Sequence, residues 1–150
     1  MRVVERQTRV DAPIEAVWAR VVTPEGINDE LRPVMTMGMP RGSEGVNIDT
    51  VVVGRPLGRA WLRLFGLIPF DYDDLTIVAI EPGRSFHERS TMLSMRHWEH
   101  ERSLAPEGPV TLVSDRLTFA PRIPGTGALM ARVISALFGH RHRRLRRFFS

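Results

Sequence analysis

Five side chains between Glu88 and Asp115 have the types and spacing that chemistry in an apolar setting would use: Glu88, Ser90, His100, Arg102 and Asp115. A carboxylate beside a guanidinium forms a charge-assisted pair, and a carboxylate that accepts an imidazole N–H orients that ring for acid–base work. Ser90, His100 and Asp115 are also the residue types of a nucleophilic triad. No Gly-x-Ser-x-Gly elbow surrounds Ser90, so serine chemistry has no further support. What the five can do depends on which side of their strands they face.

Residues 84–93, 97–105 and 110–120 read as three consecutive antiparallel strands, and side chains alternate across a strand. With a turn at 94–96, Ser90 stands opposite His100 and Glu88 opposite Arg102. With a second turn at 106–109, Arg102 faces Val113, His100 faces Asp115 and Trp98 faces Leu117. One face then collects Phe86, Met92, Trp98, Leu104, Val113, Leu117 and Phe119 together with all five polar candidates. His87, Arg89, Glu99, Glu101 and Arg116 fall on the other, solvent face. Charges on the apolar face need partners, and Glu88–Arg102 and His100–Asp115 are the expected pairs. A one-residue slip would reverse the assignment.

These strands need a scaffold. Residues 2–10 alternate as a strand. "DAPIEAVWARVV" then reads as a helix with Asp11 as N-cap, Pro13 in its first turn and a stripe of Ile14, Val17, Trp18 and Val21. "TPEGINDEL" restarts as a short helix capped by Thr23. A short strand is expected at 34–37 and longer ones at 48–53, 57–67 and 72–81. From about 125 to 148 the period becomes helical through Met130, Val133, Ile134, Leu137, Arg141, Leu145 and Phe148. The class is α+β: a curved antiparallel sheet of about six or seven strands with one long helix to cover it. Two short helices cannot fill the remainder, so a hollow between sheet and helix is expected.

Composition narrows the chemistry. The 150 residues are expected to form one domain, 1–150. With no cysteine and no lysine, thiolate, disulfide and Schiff-base chemistry are excluded. The net charge of +4 is concentrated at the end. Arg141, Arg143, Arg144, Arg146 and Arg147 stand in the last ten residues and leave 16 basic against 17 acidic elsewhere. Those arginines complement the helix dipole and are expected to pair with acidic segments such as "DYDD", so no nucleic-acid partner is expected. No apolar run is long enough to span a membrane and no secretory signal is evident, which points to the cytoplasm and no stable membrane insertion. His140 and His142 diverge on the helix and cannot share a metal. Neither a metal nor another cofactor is expected.

The layout resembles the START-related helix-grip superfamily (SRPBCC), which includes pollen-allergen-like proteins, lipid-transfer domains and polyketide aromatase/cyclases. "VDAPIEAVWARVVTPEGI", "GRAWLRLFGLIPFDYDDLTIVAIEPGRSFHERS", "HWEHERSL", "VSDRLTFAPR" and "FGHRHRRLRRFF" carry the likeness, and residues 32–55 match poorly. It implies a cavity holding a hydrophobic or amphipathic small molecule, lipid- or polyketide-like. Glu88, Ser90 and Arg102 would supply polar contacts, and Trp61, Phe86, Met92, Trp98, Leu117, Phe119, Ile134 and Leu137 the apolar wall. The alternatives are a cofactor-independent cyclase or dehydratase using His100 and Asp115, and a structural module whose own side chains fill the cavity. A homodimer stays open.

Overall fold

The computed structural model describes residues 1–150. The elements run β1 (Arg2–Val10), α1 (Ile14–Val21), α2 (Pro24–Leu31), β2 (Met35–Met37), β3 (Pro56–Leu64), β4 (Ile68–Glu81), β5 (Ser85–Met92), β6 (Met95–Glu107), β7 (Val110–Pro121) and α3 (Gly127–Phe148). All seven strands form one antiparallel sheet in the order β1-β7-β6-β5-β4-β3-β2. The first strand closes against the last, and the sheet curls around α3. Residues 48–53 depart from the expected strand. They contain a 3-10 turn at Ile48–Thr50, and Ile48 N–H donates to the Val22 carbonyl, tying this connection to the end of α1.

The two short helices are set by local chemistry. Thr23 Oγ1 accepts from Gly26 N–H at 2.9 Å, the expected cap, with Pro24 at the first helical position. Gly26 is required there, because a Cβ would stand 2.0 Å from the Arg20 carbonyl oxygen. The start of α1 differs from expectation. Pro13, not Asp11, occupies the N-cap and makes no side-chain bond; its carbonyl accepts from Ala16 and Val17 N–H.

Both hairpins after β4 are displaced from the expected pairing by two residues. Glu88 pairs with His100 and Ser90 with Trp98; Arg102 pairs with Asp115, and His100 with Leu117. Between β6 and β7 the cause is a two-residue turn, Gly108-Pro109, in place of the expected four-residue loop. Gly108 takes φ 63°, which glycine adopts without strain. Because the side-chain period is two, the shift preserves every inward assignment and changes only who meets whom.

The inward residues form two main apolar clusters. One gathers Val10, Val17, Trp18, Val21, Phe86, Leu104, Val113 and Leu145 beneath α1 and the end of α3. The other gathers Leu62, Met92, Met95, Trp98, Leu117, Phe119, Ile134 and Phe138 beneath the first half of α3. Each fully buried large side chain contributes about 1.5–3 kcal/mol. Between the clusters, on β6 and β7, lie His100, Arg102 and Asp115.

Candidate functional site

A polar belt crosses the core at that boundary. Asp115 is at its centre. Its Oδ1 accepts from His100 Nε2 at 2.6 Å and Arg102 Nε at 2.8 Å, and its Oδ2 from Arg102 Nη2 at 2.8 Å and His142 Nε2 at 2.6 Å. Four donors saturate the carboxylate. Arg102 turns the other side of its fork to Glu30, with Nη1 to Oε2 and Nη2 to Oε1 both at 2.8 Å. Arg141 Nε donates to the same Glu30 at 3.1 Å. The residues come from α2, β6, β7 and α3, so the belt pins both helices to the sheet.

Burial is the largest influence on each of these groups and opposes its charge, but the partners prevail. Burial alone would raise Asp115 and Glu30. The Arg102 and His100 charges hold Asp115 well below the usual carboxylate range, and Arg102 and Arg141 hold Glu30 below it. Burial would likewise lower His100, yet Asp115 and Glu88 raise it and favour the imidazolium. His100 Nδ1 donates to Glu88 Oε1 at 3.0 Å while Nε2 is held by Asp115. Both ring nitrogens are therefore occupied.

Beside the belt lies a cavity of about 360 Å³ between the sheet and α3, lined mostly by apolar side chains. This is within the roughly 300–1,000 Å³ range of small-molecule sites. The interior is thus not filled by the chain's own side chains. Every methionine except Met1 lines it. Phe70 and Val133, 42% and 50% exposed, mark its mouth.

Of the expected site residues, Phe86, Glu88, Met92, Trp98, His100, Ile134 and Leu137 line this cavity. The expected Glu88–Arg102 pair does not form, because the two-residue shift places His100 opposite Glu88 and Asp115 opposite Arg102. Arg102 and Asp115 lie behind the wall, in the belt. Leu117 and Phe119 are fully buried under α3 and pack the core rather than the cavity. Trp61 is on the outer face, 42% exposed and edge-on to Tyr72, because Ala60 and Leu62 take the inward positions of β3. Arg59 stacks over that Tyr72 ring at 4.2 Å.

Several functional groups were absent from the sequence-based expectation. Asp71 and Asp73, in the "DYDD" read as surface, are buried, since β4 begins at Ile68 and carries them inward in step with Leu75 and Ile77. That alternation was the available signal. Asp71 Oδ1 accepts from the backbone N–H groups of Tyr72, Leu93 and Ser94, and Oδ2 from the Ser94 hydroxyl. Asp73 Oδ1 and Ser90 Oγ are buried without any hydrogen-bond partner. Burial, then the charge of Glu88, push the Asp73 carboxyl up to about 8, with the His100 charge opposing the shift in part. Glu30, Arg141 and His142 also went unforeseen. Two of the terminal arginines meet α2 instead of "DYDD": Arg144 Nη2 donates to Asp29 Oδ1 at 3.1 Å, and Arg141 to Glu30, while Arg146 donates to Thr8 on β1. Residues 32–55 supply Met35, Met37, Met39, Val46, Ile48 and Val51 to the lining. No three His, Asp or Glu side chains converge as metal ligands, and no helix is long and apolar enough to cross a membrane.

The family model described as "Domain of unknown function (DUF8410)" matches residues 8–149. No curated protein matches the chain. Solved structures do. A START superfamily protein from Mycobacterium smegmatis is 14% identical over 98% of this chain and 96% of its own, with a TM-score of 0.71. CalU16 from Micromonospora echinospora is 20% identical over 98% of this chain and 73% of its own, with a TM-score of 0.63. DynU16, from the dynemicin biosynthetic locus, is 17% identical over 95% of this chain but only 46% of its own, with a TM-score of 0.60. At such identities the likeness establishes the fold alone, a helix-grip fold shared with these structures.

Proposed function

We propose that this chain, which belongs to the DUF8410 family, binds an apolar or amphipathic small molecule between its sheet and α3. The observation that carries the reading is the cavity itself, an apolar hollow of about 360 Å³ with a few polar groups on one wall. An empty hollow of that kind forfeits packing contacts, at a cost that scales with its volume. A ligand restores them. The methionine-rich lining adds an adaptable surface, since unbranched thioether chains repack around varied shapes. Glu88, whose Oε2 is uncommitted, provides orientation on the polar wall, held in place by His100 with Asp115 behind it. Turnover through His100 is disfavoured by the same arrangement, because neither ring nitrogen is free to meet a substrate.

Leu137→Trp, which fills the hollow from α3, tests the reading through binding of an environment-sensitive naphthalene dye. The expected result is at least a tenfold loss of dye affinity with an unchanged circular-dichroism spectrum. Undiminished dye binding in the filled variant would overturn it. Native mass spectrometry of protein purified from its own host then weighs any molecule that is retained.

A further inference from the structure

The buried acids of this fold are answered one by one, with a single exception on the cavity wall. Glu30 faces Arg102 and Arg141, Asp115 faces Arg102, His100 and His142, and Glu88 faces His100. Asp71 has no cation but is met by three backbone N–H groups and the Ser94 hydroxyl. Asp73 has neither. It is 6% exposed, lines the cavity, and carries an oxygen with no hydrogen-bond donor. Ser90, 3% exposed, lies against it with its hydroxyl equally unpartnered. Glu88, on the same wall, commits only Oε1 to the protein. No cation of the chain pairs with Asp73: Arg102 is forked between two carboxylates, His100 is held at both nitrogens, and Arg141, which also lines the cavity, gives its Nε to Glu30 and stacks on Phe138.

Asp73 and Glu88 thus present acceptors to the cavity, and Asp73 has no positively charged donor paired with it. Resting on the reading of the cavity as a small-molecule site, we infer that its ligand carries a protonated amine on an apolar body, and that Asp73, with Glu88, receives that ammonium group. An ammonium has three donors and a unit charge, which suits acceptors converging on one space. A hydroxyl would leave the Asp73 carboxyl protonated and gain no ion pair. A carboxylate would meet two acids. The apolar body would lie along Met92, Trp98, Ile134 and Leu137.

Proton linkage follows. The unliganded Asp73 carboxyl is pushed up to about 8 by burial and by Glu88, while His100 opposes that shift and Asp71 adds to it. Binding an ammonium ionises it, so below about pH 8 each binding event releases a proton to the buffer. Affinity then rises with pH toward that value.

Decylamine, decanol and decanoate, each below its aggregation concentration, form the test by titration calorimetry. Decylamine is expected to bind on the order of tenfold tighter than decanol, with decanoate weakest. At pH 6.5, calorimetry in buffers of different ionisation enthalpy should report release of close to one proton for decylamine and none for decanol. The net charge of +4 repels amines overall, so a preference for decylamine cannot arise from the global field. Asp73→Asn should abolish both the preference and the proton release while decanol still binds. Equal binding of decanol and decylamine, or preference kept in Asp73→Asn, overturns this inference alone. Failure of all three probes to bind overturns the small-molecule reading with it. Proton release is read on the native chain and so does not depend on the variant folding.

Discussion

Two buried polar regions share one curved sheet and have opposite character. In the belt of Glu30, Arg102, Asp115, Arg141 and His142, every charge meets its opposite or a donor within the chain. At the patch of Asp73 and Ser90, polar atoms of comparable burial have no partner. The belt joins α2, α3 and two strands, and of its members only Arg141 also borders the hollow. The patch joins no helix to the sheet, yet its Asp73 lines the hollow. Burial therefore does not separate structural from ligand-facing charge here; completeness of partnering does. An unsatisfied buried group costs roughly 1–3 kcal/mol, and a fold retains it most readily where something outside the chain completes it.

The largest expected effect lies in the belt. Asp115→Ala leaves Arg102, His100 and His142 facing one another without their common acceptor, and a loss of about 3–5 kcal/mol in urea unfolding is expected. A loss under about 1 kcal/mol would mean the belt is not the lock described here. Asp73→Asn should act in the opposite direction, stabilising the unliganded protein by roughly 1–3 kcal/mol at pH 8, because it removes a buried carboxyl that resists ionisation. Destabilisation there would erase the contrast between the regions.

Stability against pH sharpens the same contrast. Asp73 has a folded value raised from 3.8 to about 8, so its contribution is fully present below pH 3.8 and is lost as pH climbs through about 8. His100, also raised, contributes below 6.5 and loses that contribution at higher pH. Glu30 and Asp115 are lowered, so theirs is present above 4.5 and 3.8 and is lost as pH falls. The wild-type optimum should therefore lie on the acid side of neutrality, with stability declining from about pH 4.5 toward 8 through Asp73, and His100 adding to the loss above 6.5. Asp73→Asn should flatten the decline between pH 4 and 8, and an unchanged slope in denaturant titrations would remove Asp73 as its source. The smallest effect belongs to Ser90→Ala, expected within about 0.5 kcal/mol of wild type because the hydroxyl has no partner to lose. A larger loss would reveal a bond that the geometry lacks.

How far the site was legible varies along the chain. The inward set of β5, β6 and β7 followed from alternation, and it survived two hairpins displaced by two residues because displacement by a full period keeps each side chain on its face. The pairs did not survive, since partner identity depends on the turn. Gly108-Pro109 and not the longer loop set that of β6 and β7. Trp61 was misplaced because an aromatic was taken as inward without counting along β3, where Ala60 and Leu62 hold the inner positions. Asp73 was passed over because a run of acids suggests solvent, although its spacing from Leu75 and Ile77 placed it inside. Glu30 and His142 gave no local sign at all; their partners lie on elements far away in sequence, Arg102 and Arg141 for Glu30 and Asp115 for His142.

What the chain's order of residues determined was periodicity. Alternation and helical spacing, with Thr23 and Pro24 at a helix start, specify strands, helices, the curved-sheet class and the face each side chain takes, because these depend on neighbours within a few positions. What only the folded molecule decided was partnership. Which acid meets which cation, and which acid meets none, depends on turn lengths and on helices docking from both ends of the chain, where a shift of one strand repeat exchanges every cross-strand contact while leaving the pattern unchanged.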